Sequence, residues 1–138
     1  MRTRNVLAVA VAATAAGILA LGPTPASATP MDQGPDVLIL SVAAAGPQGQ
    51  TGTEEAVTLS CTPTAAGTHP EAAAACDGIT SVQGDIALLP AAGTMCPMIY
   101  LPVTATAVGV WNGQFVSYQQ TFTNQCVLLR ATGEVFNF

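Results

Sequence analysis

A chain of 138 residues with three basic side chains against eight acidic ones, a formal charge of −5, lacks the electropositive footprint that phosphate backbones and anionic lipid surfaces require. Binding to nucleic acid is excluded on that ground. Half of the residues are apolar and only 8% are charged, and the length suits one small domain with no room for a second.

Arg2 and Arg4 precede an apolar run at residues 6–21, and the small-residue sequence Ala26-Ser27-Ala28 closes it. That order predicts a secretory signal peptide over residues 1–28. The run is shorter than the roughly 20 apolar residues of a spanning helix, so the mature chain is expected to be secreted and free of the membrane. Cleavage after Ala28 removes two basic residues and no acidic one, leaving Arg130 as the only cation and a formal charge of −7. Residues 29–35 then read as a flexible N-terminal arm, because prolines sit near both ends and no apolar period is present.

The domain is expected over residues 36–138. Its first feature is an apolar, β-branched run at 37–42 that predicts a buried strand, broken by a flexible Gly-, Pro- and Gln-rich loop at 46–52. Residues 55–61 alternate Val57 and Leu59 with Thr58 and Ser60, which predicts a second strand, paired with the first as a hairpin. From Pro70 the period lengthens. Cys76, Ile79, Val82 and Ile86 fall three or four residues apart and predict a helix, which Gly78 and Gly84 weaken.

Beyond a proline-bounded segment at 95–102, residues 103–111 and 115–122 predict two strands joined by a type I′ turn at Asn112-Gly113. A polar turn at Thr123-Asn124-Gln125 leads to Cys126, one helical turn at 127–129 and a terminal strand at 134–138. All seven aromatic residues lie from Tyr100 onward and are expected to fill one face of the C-terminal sheet. Strands, then helix, then strands predict an α+β fold: an antiparallel sheet of about five strands with two short helices on one side.

Cys61, Cys76, Cys96 and Cys126 are an even set in a chain bound for an oxidising compartment, which predicts two disulfides. Three pairings are open. Joining Cys61 to Cys76 and Cys96 to Cys126 keeps each bridge local, and closing a loop of about 15 residues is worth about 3 kcal/mol by chain entropy. A metal site is not expected, since no two cysteines stand at C-x-x-C spacing and His69 has no histidine partner.

Enzymatic chemistry is equally poorly provided for. His69, the sole candidate base, sits in the turn sequence Gly67-Thr68-His69-Pro70, where a structural role is expected. No serine stands in a Gly-x-Ser-x-Gly context, and Glu54-Glu55 read as a solvated strand edge and not as paired catalytic carboxylates. There is no phosphate-cradling or dinucleotide-binding glycine loop, so no cofactor is expected.

The informative segment is Met95-Cys96-Pro97-Met98-Ile99-Tyr100-Leu101-Pro102. Pro97 and Pro102 keep it out of a helix or central strand and stiffen it around the unbranched side chain of Met98, while Cys96 can tie it down. An extended, restrained segment of this kind reads as bait for a protease. Together with Ala56-Val57-Thr58-Leu59 before Cys61, Gly67-Thr68-His69-Pro70, Ala75-Cys76, Gly109-Val110-Trp111, Val116-Ser117-Tyr118, Asn124 with Cys126, and Val135-Phe136 with Phe138, it resembles the Streptomyces subtilisin inhibitor family. The resemblance covers nearly all of residues 36–138.

The resemblance implies a secreted serine protease inhibitor of the standard mechanism, in which a substrate-like loop enters the protease cleft and is cut very slowly. It places P1 at Met98 and P1′ at Ile99, with Met95, Cys96, Pro97 and Tyr100 also touching the protease. Pro102 and Asn124 are implied to support the loop, with a Cys96–Cys126 bridge as its brace, and a non-covalent homodimer is implied as well; the alternative for Asn124 is that it only caps the short helix that follows. Met98, uncharged and polarisable, points to subtilisin-type enzymes with an apolar S1 pocket. Leu101 and Val108 depart from the family pattern and are expected to alter loop support or primed-side contacts. The competing functions are a disulfide-stapled binding module without a protease target and a transglutaminase substrate. With no lysine in the chain, the latter rests on Gln48 or Gln50.

Overall fold

A computed structural model describes residues 22, 34–46 and 52–138. All of the expected signal peptide but residue 22, most of the N-terminal arm, and Gln48 and Gln50 lie outside the described residues. Five antiparallel strands form one sheet: β1 (Val37–Ala44), β2 (Glu54–Ser60), β3 (Ala66–Gly67), β4 (Val103–Trp111) and β5 (Gln114–Phe122), in the order β3-β2-β1-β4-β5. Two helices, α1 (Ala72–Ser81) and α2 (Gln125–Thr132), complete the α+β architecture.

Each strand follows from the two-residue period of a pleated chain. Leu38 and Leu40 of β1, Val57 and Leu59 of β2, and Val103, Ala105 and Ala107 of β4 all point into the core. The register puts Leu40 opposite both Val57 and Ala107, so these side chains stack across the sheet. The opposite face stays open. Val37 and Ile39 are exposed there, so the run at 37–42 is buried on one side only and is not the fully buried strand its composition predicts. A small antiparallel sheet with helices on one face leaves its other face to solvent or a partner.

The hairpin between β4 and β5 turns at Asn112 (φ 48°) and Gly113 (φ 73°), the two positive dihedrals of a type I′ turn. Buried Asp36 braces it by accepting a hydrogen bond from the Asn112 N–H at 2.7 Å. Helix α1 is shorter than its apolar period suggests. It stops at Ser81 because Gln83 and Gly84 take left-handed backbone and the Gly84 N–H returns to the Ile79 carbonyl at 3.0 Å. A Cβ on Gly84 would fall 2.7 Å from the Trp111 ring, so glycine is also required for close packing. Ile86 reaches the core from a separate 3₁₀ turn, Ile86–Leu88.

Three expectations at the C-terminal end need correction. The helix after Asn124 runs for eight residues rather than one turn. Residues 134–138 are not a strand: Gly133–Phe136 is a 3₁₀ turn, and adjacent Val135 and Phe136 are both buried, which a half-buried strand cannot achieve. The fifth strand is the two-residue edge β3. The aromatic residues also do not share one face, since Trp111, Phe122 and Phe136 are buried while Tyr100 and Phe115 are exposed.

The bridge Cys61–Cys76, Cα atoms 5.4 Å apart, staples α1 to the end of β2. His69 serves the same junction. Its Nδ1 accepts from the Glu71 N–H at 3.0 Å, which leaves Nε2 as the donor to the Val135 carbonyl at 3.1 Å. With both ring nitrogens engaged and the ring buried, His69 is a structural clamp between the start of α1 and the C-terminal turn.

Candidate functional site

From Leu89 to Pro102 the chain has no regular secondary structure, as its prolines dictate, yet it is tied at several points. Ala92 N–H donates to the Arg130 carbonyl at 2.8 Å, and Leu101 N–H to the Thr123 carbonyl at 2.9 Å. Pro102 offers its carbonyl to the Ala45 N–H at 3.1 Å, fixing the loop to the end of β1. The second disulfide, Cys96–Cys126, joins the loop to the first turn of α2, with Cα atoms 5.6 Å apart.

Asn124 is the centre of this arrangement. Its Nδ2 donates to the Pro97 carbonyl at 3.1 Å and to the Ile99 carbonyl at 2.8 Å, on either side of Met98. Its Oδ1 accepts from the Val127 N–H at 3.0 Å, so the same side chain caps α2. Bracing and capping, which the sequence leaves as alternatives, coexist in one amide. Only 7% of Asn124 is exposed, which keeps water from competing for these bonds.

Held from behind, the loop turns its side chains outward. Met98 is fully exposed (104%) and Met95 nearly so (92%), with Tyr100, Leu101 and half of Ile99 also in solvent. No residue between Met95 and Pro102 carries a formal charge, and Arg130 lines the same shallow depression as Met98 and Tyr100. The result is a rigid, neutral ridge with apolar side chains on a backbone whose conformation is already set. Such a ridge can enter a cleft at reduced entropic cost, because the backbone is already ordered and only the exposed side chains remain to be fixed.

The structure thus brings Met95, Cys96, Pro97, Met98, Ile99, Tyr100, Pro102, Asn124 and Cys126 into one region. It does not bring Val108 there. That residue lies on the open face of the sheet opposite Ile39, five positions or roughly 17 Å along β4 from Val103, so its departure from the family pattern does not act on the loop by direct contact. Sequence reasoning missed the carbonyls of Thr123 and Arg130 and the N–H of Ala45, which act through backbone alone and leave no trace in residue identity. Among the described residues no group of three or more His, Cys, Asp and Glu is placed to hold a metal, and no helix is long and apolar enough to cross a membrane.

A family model described as subtilisin inhibitor-like matches residues 34–124. Subtilisin inhibitor-like protein 4 of Streptomyces lavendulae is 45% identical over 105 residues, 75% of this chain and 90% of that protein. Trypsin inhibitor STI2 of Streptomyces longisporus is also 45% identical over 105 residues, covering 75% of this chain and 73% of its own. Among solved structures, Streptomyces caespitosus sermetstatin in complex with Bacillus licheniformis subtilisin superposes with a TM-score of 0.61 at 38% identity, over 76% of this chain and all of the matched one.

Proposed function

The chain belongs to the subtilisin inhibitor-like family, and from that premise we propose that it is a secreted inhibitor of subtilisin-type serine proteases acting by the standard mechanism, with Met98–Ile99 as the reactive bond. The chain is not an enzyme, as the names of its relatives indicate. One observation carries the reading: the fully exposed Met98 sits between two carbonyls held by a single buried amide. The sermetstatin complex with subtilisin supports the choice of partner.

Met98 supplies P1 and Ile99 P1′, with Met95, Cys96 and Pro97 on the non-primed side and Tyr100 on the primed side. Leu101 extends the primed side. A protease acylated through Met98 cannot release the Ile99 amine, because Asn124 and the Leu101–Thr123 hydrogen bond keep that amine beside the acyl carbonyl. An amine held at high effective concentration reverses the acylation faster than water completes it. Secretion rests on the basic, apolar and small-residue order of residues 1–28 and on two disulfides, which persist in oxidising compartments.

Titration of the mature protein, residues 29–138, against subtilisin and trypsin tests this. Subtilisin activity is expected to vanish near one site per chain, and mass analysis to find a slow nick between Met98 and Ile99. Absence of inhibition at micromolar protein rejects the function, and a nick elsewhere rejects the bond.

The open sheet face supports a homodimer. Val37 and Val110 are register partners, as are Ile39 and Val108, and Phe115 stands opposite Val110, making one exposed apolar surface. A second copy presents the same patch, so a two-fold pairing buries both at once. Ile39→Glu is expected to convert the dimer to a monomer by sedimentation equilibrium while leaving subtilisin inhibition unchanged, since Ile39 lies on the sheet and outside the loop. A variant that stays dimeric places the interface elsewhere.

A further inference from the structure

We infer that Met98 is an oxidation-sensitive switch, a site at which a hydroperoxide turns the inhibitor off by converting the thioether to a sulfoxide. The inference rests on the reading of Met98 as P1. It starts from where oxidisable groups lie. Both methionines among the described residues, Met95 and Met98, are in the loop and in solvent, and the core contains none. All four cysteines are locked in disulfides, and Trp111 is buried. An oxidant meeting the described fold therefore finds its accessible thioethers in the protease-facing loop.

The chemistry is a two-electron oxygen transfer. A sulfur lone pair attacks one oxygen of hydrogen peroxide, the O–O bond breaks as the S–O bond forms, and the departing hydroxide takes the proton of the transferred oxygen and leaves as water. Sulfur is oxidised and peroxide reduced. The rigidity of the loop does not protect Met98, because the restraints act on the Pro97 and Ile99 carbonyls while the side chain projects freely.

The product has a polar, strongly accepting oxygen where an apolar S1 pocket receives the P1 side chain. Burying that oxygen without a donor is expected to weaken inhibition by about 10- to 100-fold. Nothing else in the fold needs to change, since no oxidised group lies in the core. The state is therefore reversible by a thiol-dependent sulfoxide reductase, which returns the thioether as two thiols become a disulfide and water is released.

The test oxidises the mature protein with hydrogen peroxide and measures subtilisin inhibition beside peptide masses. Met98→Leu and Met95→Leu are each compared with their own untreated form. The wild type and Met95→Leu are expected to lose about 10- to 100-fold in inhibition as the Met98 peptide gains one oxygen, and to recover it with sulfoxide reductase. Met98→Leu is expected to keep its own inhibition, and circular dichroism to stay unchanged throughout. Full oxidation at Met98 with undiminished inhibition overturns the switch, as does an equal loss in Met98→Leu. If untreated protein inhibits but is nicked at another bond, the P1 assignment fails first and the switch with it.

Discussion

Met98→Lys is expected to raise affinity for trypsin by about 100- to 1,000-fold and to lower affinity for subtilisin, so that the preference of the inhibitor reverses. A trypsin-like S1 pocket is built around a buried carboxylate, which an uncharged thioether leaves without a cation. Supplying that cation replaces an unpaired buried charge by a charge-assisted pair, and such pairs are worth about 2–5 kcal/mol when truncation is the comparison. The substitution does not disturb the fold, because Met98 is fully exposed and its side chain supports nothing behind it. Surface changes of that sort stay within about 0.5 kcal/mol of stability. Inhibition constants against both proteases, with a thermal melt as control, decide the matter. An unchanged profile means that another residue occupies S1. That a relative 45% identical to this chain is named a trypsin inhibitor agrees with specificity residing in a few exposed positions on a shared scaffold.

The parts legible in the sequence were those whose signal is local. The alternation of β1, β2 and β4, the Asn112-Gly113 turn, the start of α1 and the even cysteine count each announce themselves within a short window. So does the loop, because Pro97 and Pro102 forbid regular structure around Met98. What escaped depends on residues distant in the chain. Gly84 ends α1 early because it packs on Trp111, 27 positions away, and nothing in the apolar period from Cys76 to Ile86 marks that contact. The terminal segment reads as a strand until Gly133 turns it and the core takes both Val135 and Phe136. For Asn124 the sequence leaves bracing and capping as alternatives, and the geometry lets one amide do both.

That double duty leads to the second large effect. Asn124→Ala is expected to turn the protein from a lasting inhibitor into a temporary one, with cleavage of Met98–Ile99 accelerated by about 10- to 100-fold. The two Nδ2 hydrogen bonds span the proposed reactive bond, one to the residue before Met98 and one to Ile99. After cleavage the Cys96–Cys126 bridge still holds the non-primed side, but the primed side loses its nearest tie and the new amine swings away before it can religate. Two hydrogen bonds at about 0.5–1.5 kcal/mol each set the scale of that loss. Alanine also removes the cap on Val127 N–H, at a cost of about 1–2 kcal/mol in stability, so a faster cut could reflect a frayed helix. Asn124→Ser separates the two effects, because a serine oxygen caps a helix about as well as asparagine yet has no amide to reach across to Pro97 and Ile99. Serine is therefore expected to retain most of the melting temperature and still to be cleaved quickly. If it is cut as slowly as the wild type, the amide matters through α2 alone. If both variants melt early and both inhibit durably, the rigidity of the loop comes from the disulfide and the Leu101–Thr123 bond without Asn124.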